Sequence, residues 1–388
     1  MNPQCKVVHS GDIHLEEDRY FEDTAQCLEW LVEDGIGAGA DLFVINGDLT
    51  TYKATIKERN LWIDMLIRMA EHAPVILVAG NHGCELDRDL YVYSRSRSKN
   101  IIHLFEEPGL IEVGAMGIAA FPYPRKADFL SASREGTLRN AFIQQLDEFN
   151  RWFHAHQDRF RLFLGHFGVT GARVSGGQPL VGRCAEYPLE PLRRVQAQYV
   201  GLSHIHLRQQ LAPRVWYAGS LSRCDYSEVE EKGYNLVTLK TPQVTEDGSD
   251  VEVEFRRSPT RALAELKVRY EDGEFHLPTG FDRATLKDSR VKVIVTVAQH
   301  TVQSLCRDEQ NRLRDMLSVA KPAELKMKIE HEREAAKAEP GVSSARSAAE
   351  KLRAYWEIRK APPAEQQLRL LAKLGEIEAM LAKERPAL

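Results

Sequence analysis

From residue 5 to about 240, short apolar runs alternate with longer stretches of helical period. The runs have the length of buried strands, while the stretches at 21–36, 54–73 and 137–156 repeat their apolar residues every three or four positions. Strands that alternate with helices are typical of a layered α/β domain. The predicted strands are 6–9, 42–46, 75–79, 117–121, 162–164, 199–202 and 215–218.

The pattern changes after residue 240. A polar, turn-rich segment at 241–250 marks a boundary, and strand-like runs at 251–255, 264–270 and 290–297 are followed by a helical stretch at 304–317. This pattern predicts a small α+β domain. The predicted domains are 1–245, 246–320 and 321–388.

The last of these parts is charged and helix-prone at 321–337 and has a break at 339–344. Two helices are predicted beyond the break, at 345–360 and 364–383, because the sequence Ala361-Pro362-Pro363 ends the first of them. The second helix carries a narrow apolar stripe with 4-3-4 spacing. The stripe consists of Leu370, Leu374, Ile377 and Leu381, and Trp356 lies on one side of the first helix.

Composition adds little beyond the class of protein. The chain is 43% hydrophobic and 28% charged, which is ample for a large core, and its formal net charge of -4 neither favours nor excludes nucleic acid. The six cysteines form no C-x-x-C pair, which argues against a disulfide framework or a structural zinc site. Because no secretory leader and no apolar run of about 20 residues is present, we expect a cytoplasmic protein with no membrane association.

Five short polar motifs stand at or just after the ends of predicted strands, where open α/β sheets place their active sites. They are Gly11-Asp12-Ile13-His14, Asn46-Gly47-Asp48, Gly80-Asn81-His82, Gly165-His166 and His204-Ile205-His206. The candidate metal ligands within them are Asp12, His14, Asp48, Asn81, His166, His204 and His206.

These residue types suit a pair of divalent cations. Imidazole, carboxylate and amide ligands fit manganese, iron or zinc. Two neighbouring cations repel each other and need a bridging carboxylate, for which Asp48 is the candidate. Such a pair activates a bound water and offsets charge on a leaving oxygen, which indicates phosphoester hydrolysis. His82 follows a candidate ligand and is interpreted as a proton donor to the leaving oxygen or a stabiliser of the transition state.

Each motif taken alone is weak, because a lone histidine is more often a packed or surface residue. Five of the 13 histidines fall in the motifs, in a fixed order after strand-like runs, and a chance arrangement of that kind is rare. The remaining histidines are interpreted as packed or solvent-exposed. They are His9, His72, His103, His154, His156, His276, His300 and His331.

The ordered set of motifs resembles the calcineurin-like metallophosphoesterase superfamily. Residues 165–171 and 199–206, with the Gly-Ser-Leu turn at 219–221 and the Glu-Lys-Gly sequence at 231–233, resemble its SbcD-type DNA repair nucleases. The resemblance covers 1–240 and implies a layered α/β sandwich with a small capping domain and C-terminal helices.

The resemblance also implies roles for residues and domains. It places one metal ion on Asp12, His14, Asp48 and His206, and the other on Asp48, Asn81, His166 and His204. It makes His82 the catalytic histidine. It further implies that the capping domain contacts DNA, that the C-terminal helices bind a coiled-coil ATPase of the SbcC type, and that helices near 54–73 build a homodimer.

Three positions depart from the family pattern. Gly83 stands where an acidic residue usually orients the catalytic histidine, although Glu85 or Asp87 could substitute. Ser203 replaces a glycine before the last motif, and Thr51 replaces the histidine or aspartate that handles DNA ends or the substrate phosphate.

Two surface features carry alternative interpretations. Arg95, Arg97 and Lys99 either grip DNA phosphates or belong to a solvated loop. The stripe with Trp356 either docks on the ATPase's coiled coil or closes a helical hairpin on itself. The helix residues Leu61, Trp62, Met65 and Ile67 are interpreted as core, with a homodimer face as the alternative.

Three functions are consistent with these residues. The first is a manganese-dependent DNA nuclease, an exonuclease on ends and an endonuclease on single-stranded or hairpin DNA, that works with an SbcC-like ATPase in repair or recombination. The second is a phosphatase or phosphodiesterase acting on a small molecule or nucleotide, for which the second domain and the C-terminal helices are surplus. The third is a DNA-tethering subunit with a weakened site, which Gly83 and Thr51 would explain.

Overall fold

The alternating strands and helices form two six-stranded β-sheets that pack face to face. A computed structural model describes residues 4–82, 94–124, 135–175, 186–297, 306–331, 347–358 and 362–384. The first sheet has the order β14-β13-β1-β2-β3-β4 and the second has the order β11-β12-β10-β7-β6-β5.

The strands of the first half are β1 (Cys5–Ser10), β2 (Leu42–Asn46), β3 (Val75–Val78), β4 (Ile102–Phe105), β5 (Gly109–Val113), β6 (Met116–Phe121), β7 (Phe160–His166), β8 (Gly168–Val169) and β9 (Glu186–Tyr187). Those that follow are β10 (Tyr199–Ser203), β11 (Gln209–Ala212), β12 (Val215–Tyr217), β13 (Gly233–Leu239), β14 (Val251–Arg257), β15 (Leu263–Glu271), β16 (Glu274–His276), β17 (Arg290–Val297) and β18 (Glu324–His331). The α-helices are α1 (Phe21–Gly37), α2 (Ile56–His72), α3 (Glu135–Ala155), α4 (Leu189–Arg193), α5 (Arg307–Ser318), α6 (Ala348–Ile358) and α7 (Ala364–Glu384).

The centre of each sheet is parallel. Strands β1 to β4 run parallel in the first sheet, and β6, β7, β10 and β12 run parallel in the second. Parallel strands are covered on both faces, which explains why they read as continuous apolar runs in the sequence.

Successive side chains of β1 contribute to two different cores, because neighbouring residues of a strand point to opposite faces. Val7 packs in the layer between the sheets with Ile118 and Leu164. Val8 packs outward, in the layer that α1 and α2 form with the first sheet. Helix α3 covers the outer face of the second sheet through residues such as Phe149. The prediction of a layered α/β sandwich is therefore confirmed.

A second compact unit consists of the described residues of Ala264–Lys287 and Val291–Leu388. Its four-stranded sheet has the order β16-β15-β17-β18. Helix α5 packs Leu313 and Leu317 against a core that includes Val293 and Val295. Helices α6 and α7, at its C-terminal end, contact each other. Among the described helices, none is long and apolar enough to cross a membrane.

The structure contains strands in the first unit that the sequence pattern did not predict, among them β4, β5, β11 and β13. Two further differences concern the region after residue 240. Strand β14 pairs along its whole length with β13 and belongs to the first sheet, although the pattern placed it at the start of the second domain. The helix-prone interpretation of 321–337 is wrong over β18. There the alternation of Leu325, Met327 and Ile329 directs the apolar side chains to the core of the second unit, as a strand of period two requires.

Candidate metal centre

The candidate ligands follow strands β1, β2 and β3 of one sheet and β7 and β10 of the other. Because these strands run parallel within each sheet, their carboxyl ends share an edge, and the polar residues that follow them are brought together. The structure places all seven candidate ligands in one continuous cluster.

One part of the cluster is formed by Asp12, His14 and His206, each of which offers a ligand atom within 4.8 Å of the others. The Nε2 atoms of His14 and His206 lie 3.2 Å apart. The Asp12 carboxylate accepts the backbone N–H of His204, at 2.9 Å to Oδ2. This part corresponds to the first ion that the sequence resemblance implies.

The other part is formed by Asp48, His166, His204 and Asn81. Asp48, His166 and His204 again offer atoms within 4.8 Å of one another. The Asn81 Oδ1 atom lies 2.7 Å from Nδ1 of His204 and 3.2 Å from Nε2 of His166. Asp48 Oδ2 lies 3.3 Å from His166 Nε2 and 3.7 Å from His14 Nε2, so a single carboxylate oxygen faces both parts.

The hydrogen bonds of His166 test whether these residues fit a cation. Its Nδ1 lies 2.7 Å from the Asn46 carbonyl oxygen, which assigns the ring proton of the neutral imidazole to Nδ1. The unprotonated Nε2 then faces oxygens of Asp48 and Asn81. Lone pairs that converge in this way repel one another unless a proton or a metal ion lies among them. Imidazole, carboxylate and amide donors together are a set that suits divalent metal ions.

The pKa values of the cluster are strongly displaced. Burial, assisted by neighbouring imidazoles, lowers the pKa of both His14 and His204 to about 3. Burial alone would raise the pKa of Asp48, but its interaction with the His166 ring outweighs burial and holds that pKa well below its usual value. The same interaction overcomes the burial of the His166 ring and raises the pKa of His166 to about 9. His14, His204 and Asp48 thus have the protonation states in which they bind a metal, whereas a metal would have to displace a proton from His166.

The backbone is strained where the ligands lie. Asp12, His14, Asp48 and His204 all have positive φ, at 50°, 50°, 53° and 92°. Such conformations are uncommon for residues other than glycine, and they persist where the surrounding structure enforces them. Four ligands therefore owe their direction to backbone geometry that an unconstrained chain would avoid.

Gly47 and Gly80 lie so close to candidate ligands that no larger side chain fits at either position. A Cβ atom on Gly47 would lie 2.0 Å from His166 Nδ1, and Gly47 has a φ of +89°. A Cβ atom on Gly80 would lie 2.2 Å from Asp48 Oδ1. Side chains at either position would displace a candidate ligand.

His82 lies at the edge of the cluster. Its backbone N–H donates to Asp48 Oδ1 at 3.0 Å, and its Nδ1 lies 2.7 Å from the carbonyl oxygen of Thr51. Its Nε2 lies 3.9 Å from Asp48 Oδ2, and its side chain is 32% exposed. The Thr51 carbonyl thus orients the ring at a position where the family uses an acidic side chain; Gly83, Glu85 and Asp87 lie outside the described residues.

Sequence reasoning missed Glu228, which lies beside the cluster. Its Oε1 is 2.6 Å from Nδ1 of His206, and Lys232 Nζ is 3.0 Å from its Oε2. Burial raises the pKa of Glu228, but the hydrogen bond from His206 and the charge of Lys232 outweigh it and bring the pKa to about 2. No spacing rule connects Glu228 with the His-x-His motif, although the Glu-Lys-Gly sequence close to it was a signal.

Ser203 is buried with an ordinary backbone, and its hydroxyl fills the space that Gly11 leaves open. Arg95, Arg97 and Lys99 are exposed, and Arg95 donates from Nε to the Ile102 carbonyl. Arg95 and Lys99 line a cavity of about 1200 Å³ along β4 and the start of β5. Whether these residues contact DNA stays a prediction.

The predicted partner residues lie in α6 and α7. Trp356 and Leu374 are half-buried, and Leu370 is 42% exposed. Ile377 and Leu381 lie in α7, but their side chains are outside the described part of the structure. Of the helix residues assigned to core or dimer face, Trp62 and Met65 are buried in the core of the first unit and Leu61 packs against it.

Comparison with known proteins gives a family match over more than half of the chain. The model of the calcineurin-like phosphoesterase family matches residues 5–208. The chain is 33% identical over 119 residues to the DNA double-strand break repair protein Mre11 of Archaeoglobus fulgidus, a match that covers 28% of this chain and 24% of that protein. It is 22% identical over 260 residues to a putative phosphoesterase, 244L, of Invertebrate iridescent virus 6, covering 62% of this chain and 79% of that protein.

Two solved structures are also similar in part. A Thermus thermophilus protein, TT1561, has a TM-score of 0.39 at 12% identity and covers 65% of this chain and 99% of its own. A dimetal phosphatase from Danio rerio has the same TM-score and identity, with 65% and 98% covered.

Proposed function

The chain belongs to the calcineurin-like phosphoesterase family, and we propose that within this family it is a two-metal DNA nuclease that hydrolyses phosphodiester bonds. One observation carries the proposal: seven candidate ligands from five separate motifs converge on one cluster, with the His82 ring at its accessible edge. The nuclease part is supported by the similarity to an Mre11 protein and by the sequence features at 165–171, 199–206 and 219–221.

The chain's own groups have separable tasks in this proposal. When bound, a pair of divalent cations, of which manganese is our proposal, supplies an activated water and neutralises charge on the phosphate. Asp48 presents one carboxylate oxygen to both groups of ligands. The Thr51 carbonyl accepts from Nδ1 of His82, so that Nε2 is the ring atom that would deliver a proton to the leaving oxygen when both ring nitrogens are protonated.

The partners of the nuclease are part of the same proposal. We propose that the second unit helps to hold DNA and that α6 and α7 bind an SbcC-like coiled-coil ATPase through the exposed side of their apolar stripe. A homodimer built on α2 would have to use side chains such as Ile56, which is 75% exposed, because Trp62 and Met65 are occupied in the core.

The test compares substrates under identical conditions. Purified protein in Mn²⁺ is given end-labelled duplex DNA, hairpin DNA, a cyclic nucleotide and a phosphopeptide, and kcat/KM is measured for each. We expect turnover of DNA that Asp48→Ala abolishes, since that variant removes the shared carboxylate. Turnover of the cyclic nucleotide or the phosphopeptide with none on DNA would replace the nuclease by the small-molecule phosphoesterase. Metal binding without cleavage of any substrate, even with the ATPase and ATP present, would favour the tethering subunit.

A further inference from the structure

A buried pair of opposite charges lies behind one candidate ligand. Glu228 and Lys232 stand between β12 and β13 and are only 4% and 2% exposed. Glutamate and lysine are rarely buried so completely unless they are paired. Neither residue belongs to the five motifs, so the predicted metal ligands do not account for this buried pair.

The pair holds both ends of His206. Glu228 Oε1 is 2.6 Å from the ring Nδ1, whereas Lys232 Nζ donates to the backbone carbonyl oxygen of the same histidine at 3.1 Å. Glu228 is itself fixed, because its Oε2 accepts from Lys232 Nζ at 3.0 Å and from the backbone N–H of Cys224 at 2.9 Å. Lys232 also contacts Ser220 Oγ at 2.9 Å and Glu230 Oε1 at 2.7 Å.

These contacts determine what the other ring nitrogen of His206 can do. A carboxylate can only accept, so the hydrogen bond to Glu228 puts a proton on Nδ1, and in the neutral ring the lone pair is then on Nε2. That lone pair points into the cluster, where His14 Nε2 lies 3.2 Å away. A histidine that binds a metal through one nitrogen commonly donates from the other to a carboxylate, which fixes its tautomer and makes it a stronger ligand.

We propose that Glu228, anchored by Lys232, is a positioning residue that sets the affinity of the metal position to which His206 belongs. The inference rests on the metal centre of the proposed function, but it does not require that DNA is the substrate. It distinguishes the two metal positions, because the Nδ1 atom of His166 contacts the backbone carbonyl of Asn46, whereas the Nδ1 atom of His206 contacts a buried carboxylate.

A different role for the same residues is a separate metal site. Single atoms of His206, Cys224 and Glu228 lie within 4.8 Å of one another. Such a site would need a Cys224 thiolate and a free His206 Nδ1. However, Nδ1 is engaged by Glu228, and the Cys224 thiol donates to the Ser222 carbonyl at 3.8 Å. The positioning role therefore accounts for the contacts better, and a Cys224 variant separates the two.

The experiment measures Mn²⁺ binding, by the electron paramagnetic resonance signal of free Mn²⁺ during titration, together with the melting temperature of the metal-free protein. The test variant is Glu228→Gln. The matched control is Glu231→Gln, which makes the same change three residues away, where Glu231 is exposed and pairs only with Arg257 among its described contacts. We expect Glu228→Gln to weaken one of the two Mn²⁺ binding steps by about 10–100-fold and to leave the other unchanged, whereas Glu231→Gln changes neither.

A second variant guards against a simple folding defect. Glu228→Gln leaves Lys232 with one carboxylate fewer, so the double variant Glu228→Gln/Lys232→Met removes both buried charges together. It should show the same selective loss of one binding step, and any fall in its melting temperature would include the loss of the contact between Lys232 and Glu230. Cys224→Ser should bind both Mn²⁺ ions as the wild type does.

Three results would overturn the proposal. Unchanged Mn²⁺ affinities in both Glu228 variants would show that the carboxylate does not act on the metal. Equal weakening of both steps in both variants, with lower melting temperatures, would make the pair merely structural. Loss of a binding step in Cys224→Ser would assign the thiol as a ligand. If the wild type binds two ions in the expected way but cleaves no DNA, the nuclease proposal fails and the role of Glu228 stands.

Discussion

The cluster separates side chains that would hold cations from one that would act on the substrate. His14 and His204 are half-buried, and their lowered pKa values keep them neutral, as ligands must be. His82 is one-third exposed, and its Nδ1 is occupied by the Thr51 carbonyl. This division implies that losing His82 and losing a ligand have different consequences.

His82→Ala tests that division. The variant should lower kcat for DNA cleavage by about 10²–10⁴-fold, because it removes a proton donor, while Mn²⁺ affinity stays at the wild-type level. Cleavage rates at saturating DNA and a Mn²⁺ titration check both parts. His276→Ala, on the exposed surface of β16, is the matched control. A variant that cleaves at the wild-type rate, or that loses metal, would contradict the assignment.

Gly47→Ala tests the crowding around His166. Gly39 has a similar positive φ of +71° but nothing within 4 Å of an added Cβ, so Gly39→Ala is its control. Both variants should lose stability from the left-handed backbone, by about 1–2 kcal/mol. Only Gly47→Ala should also lose Mn²⁺ binding, because its Cβ would displace the His166 ring. Equal Mn²⁺ affinity in the two variants would show that the close contact does not matter.

Much of the site could be predicted from single residues. Polar residues next to glycine at strand ends are a local signal, and Asp12, Asp48 and His166 are recognisable by it. Glu228 is not, because it reaches His206 only through the tertiary fold. The contact between the Thr51 carbonyl and His82 could not be predicted either, because every residue type has a backbone carbonyl.

At the scale of elements, the loop between β2 and α2 carries both Asp48 and Thr51. This loop ends in a capping box: Thr55 Oγ1 accepts from the Glu58 N–H at 3.2 Å, and Glu58 Oε2 accepts from the Thr55 N–H at 2.9 Å. A capping box satisfies backbone donors that the first turn of a helix leaves free. The start of α2 is thereby fixed near the candidate centre.

Thr55→Ala should destabilise the protein by about 1 kcal/mol, as expected for the loss of a cap, with DNA cleavage at low temperature nearly unchanged. Chemical denaturation measures the free energy of unfolding. Asp64→Ala, an exposed change within the same helix, should leave it within about 0.5 kcal/mol. If Thr55→Ala were as stable as the control, the box would have no energetic role.

The elements also show where pattern reasoning works and where it fails. The parallel strands other than β4 were predictable because both their faces are apolar, whereas the two central residues of β4 are only half-buried. Strand β14 was assigned to the wrong unit because the turn before it, rich in polar residues, has the composition of a domain linker. In β18 the charged residues suggested a helix, whereas the alternation of Leu325, Met327 and Ile329 was the more informative signal.

At the scale of the whole molecule, the family match covers the first unit only in part and leaves the C-terminal helices unassigned. Helix α7 exposes Leu370 at 42% and Leu368 at 70%, but only Leu370 belongs to the 4-3-4 stripe. Variants of these two leucines can therefore show whether a partner binds the stripe itself or any exposed apolar side chain of the helix.

If α6 and α7 bind an SbcC-like ATPase as proposed, Leu370→Glu combined with Leu374→Glu should abolish co-purification with that ATPase, since the two changes place charge in the stripe. Manganese-dependent cleavage of a short hairpin should persist. Leu368→Glu should retain the ATPase. If the double variant and Leu368→Glu bind the ATPase equally, the stripe is not the docking surface. Circular dichroism checks that the helices of both variants remain folded.

The most direct measurement counts Mn²⁺ ions bound per chain and DNA cleaved in the same samples, for the wild type and for Asp48→Ala. The seven converging ligands predict two ions per wild-type chain, with cleavage that rises as the second ion binds. They predict that Asp48→Ala loses this second ion and all cleavage, because its carboxylate faces both groups of ligands. A wild type that holds a single ion, or an Asp48→Ala variant that still cleaves DNA, would contradict the two-metal centre.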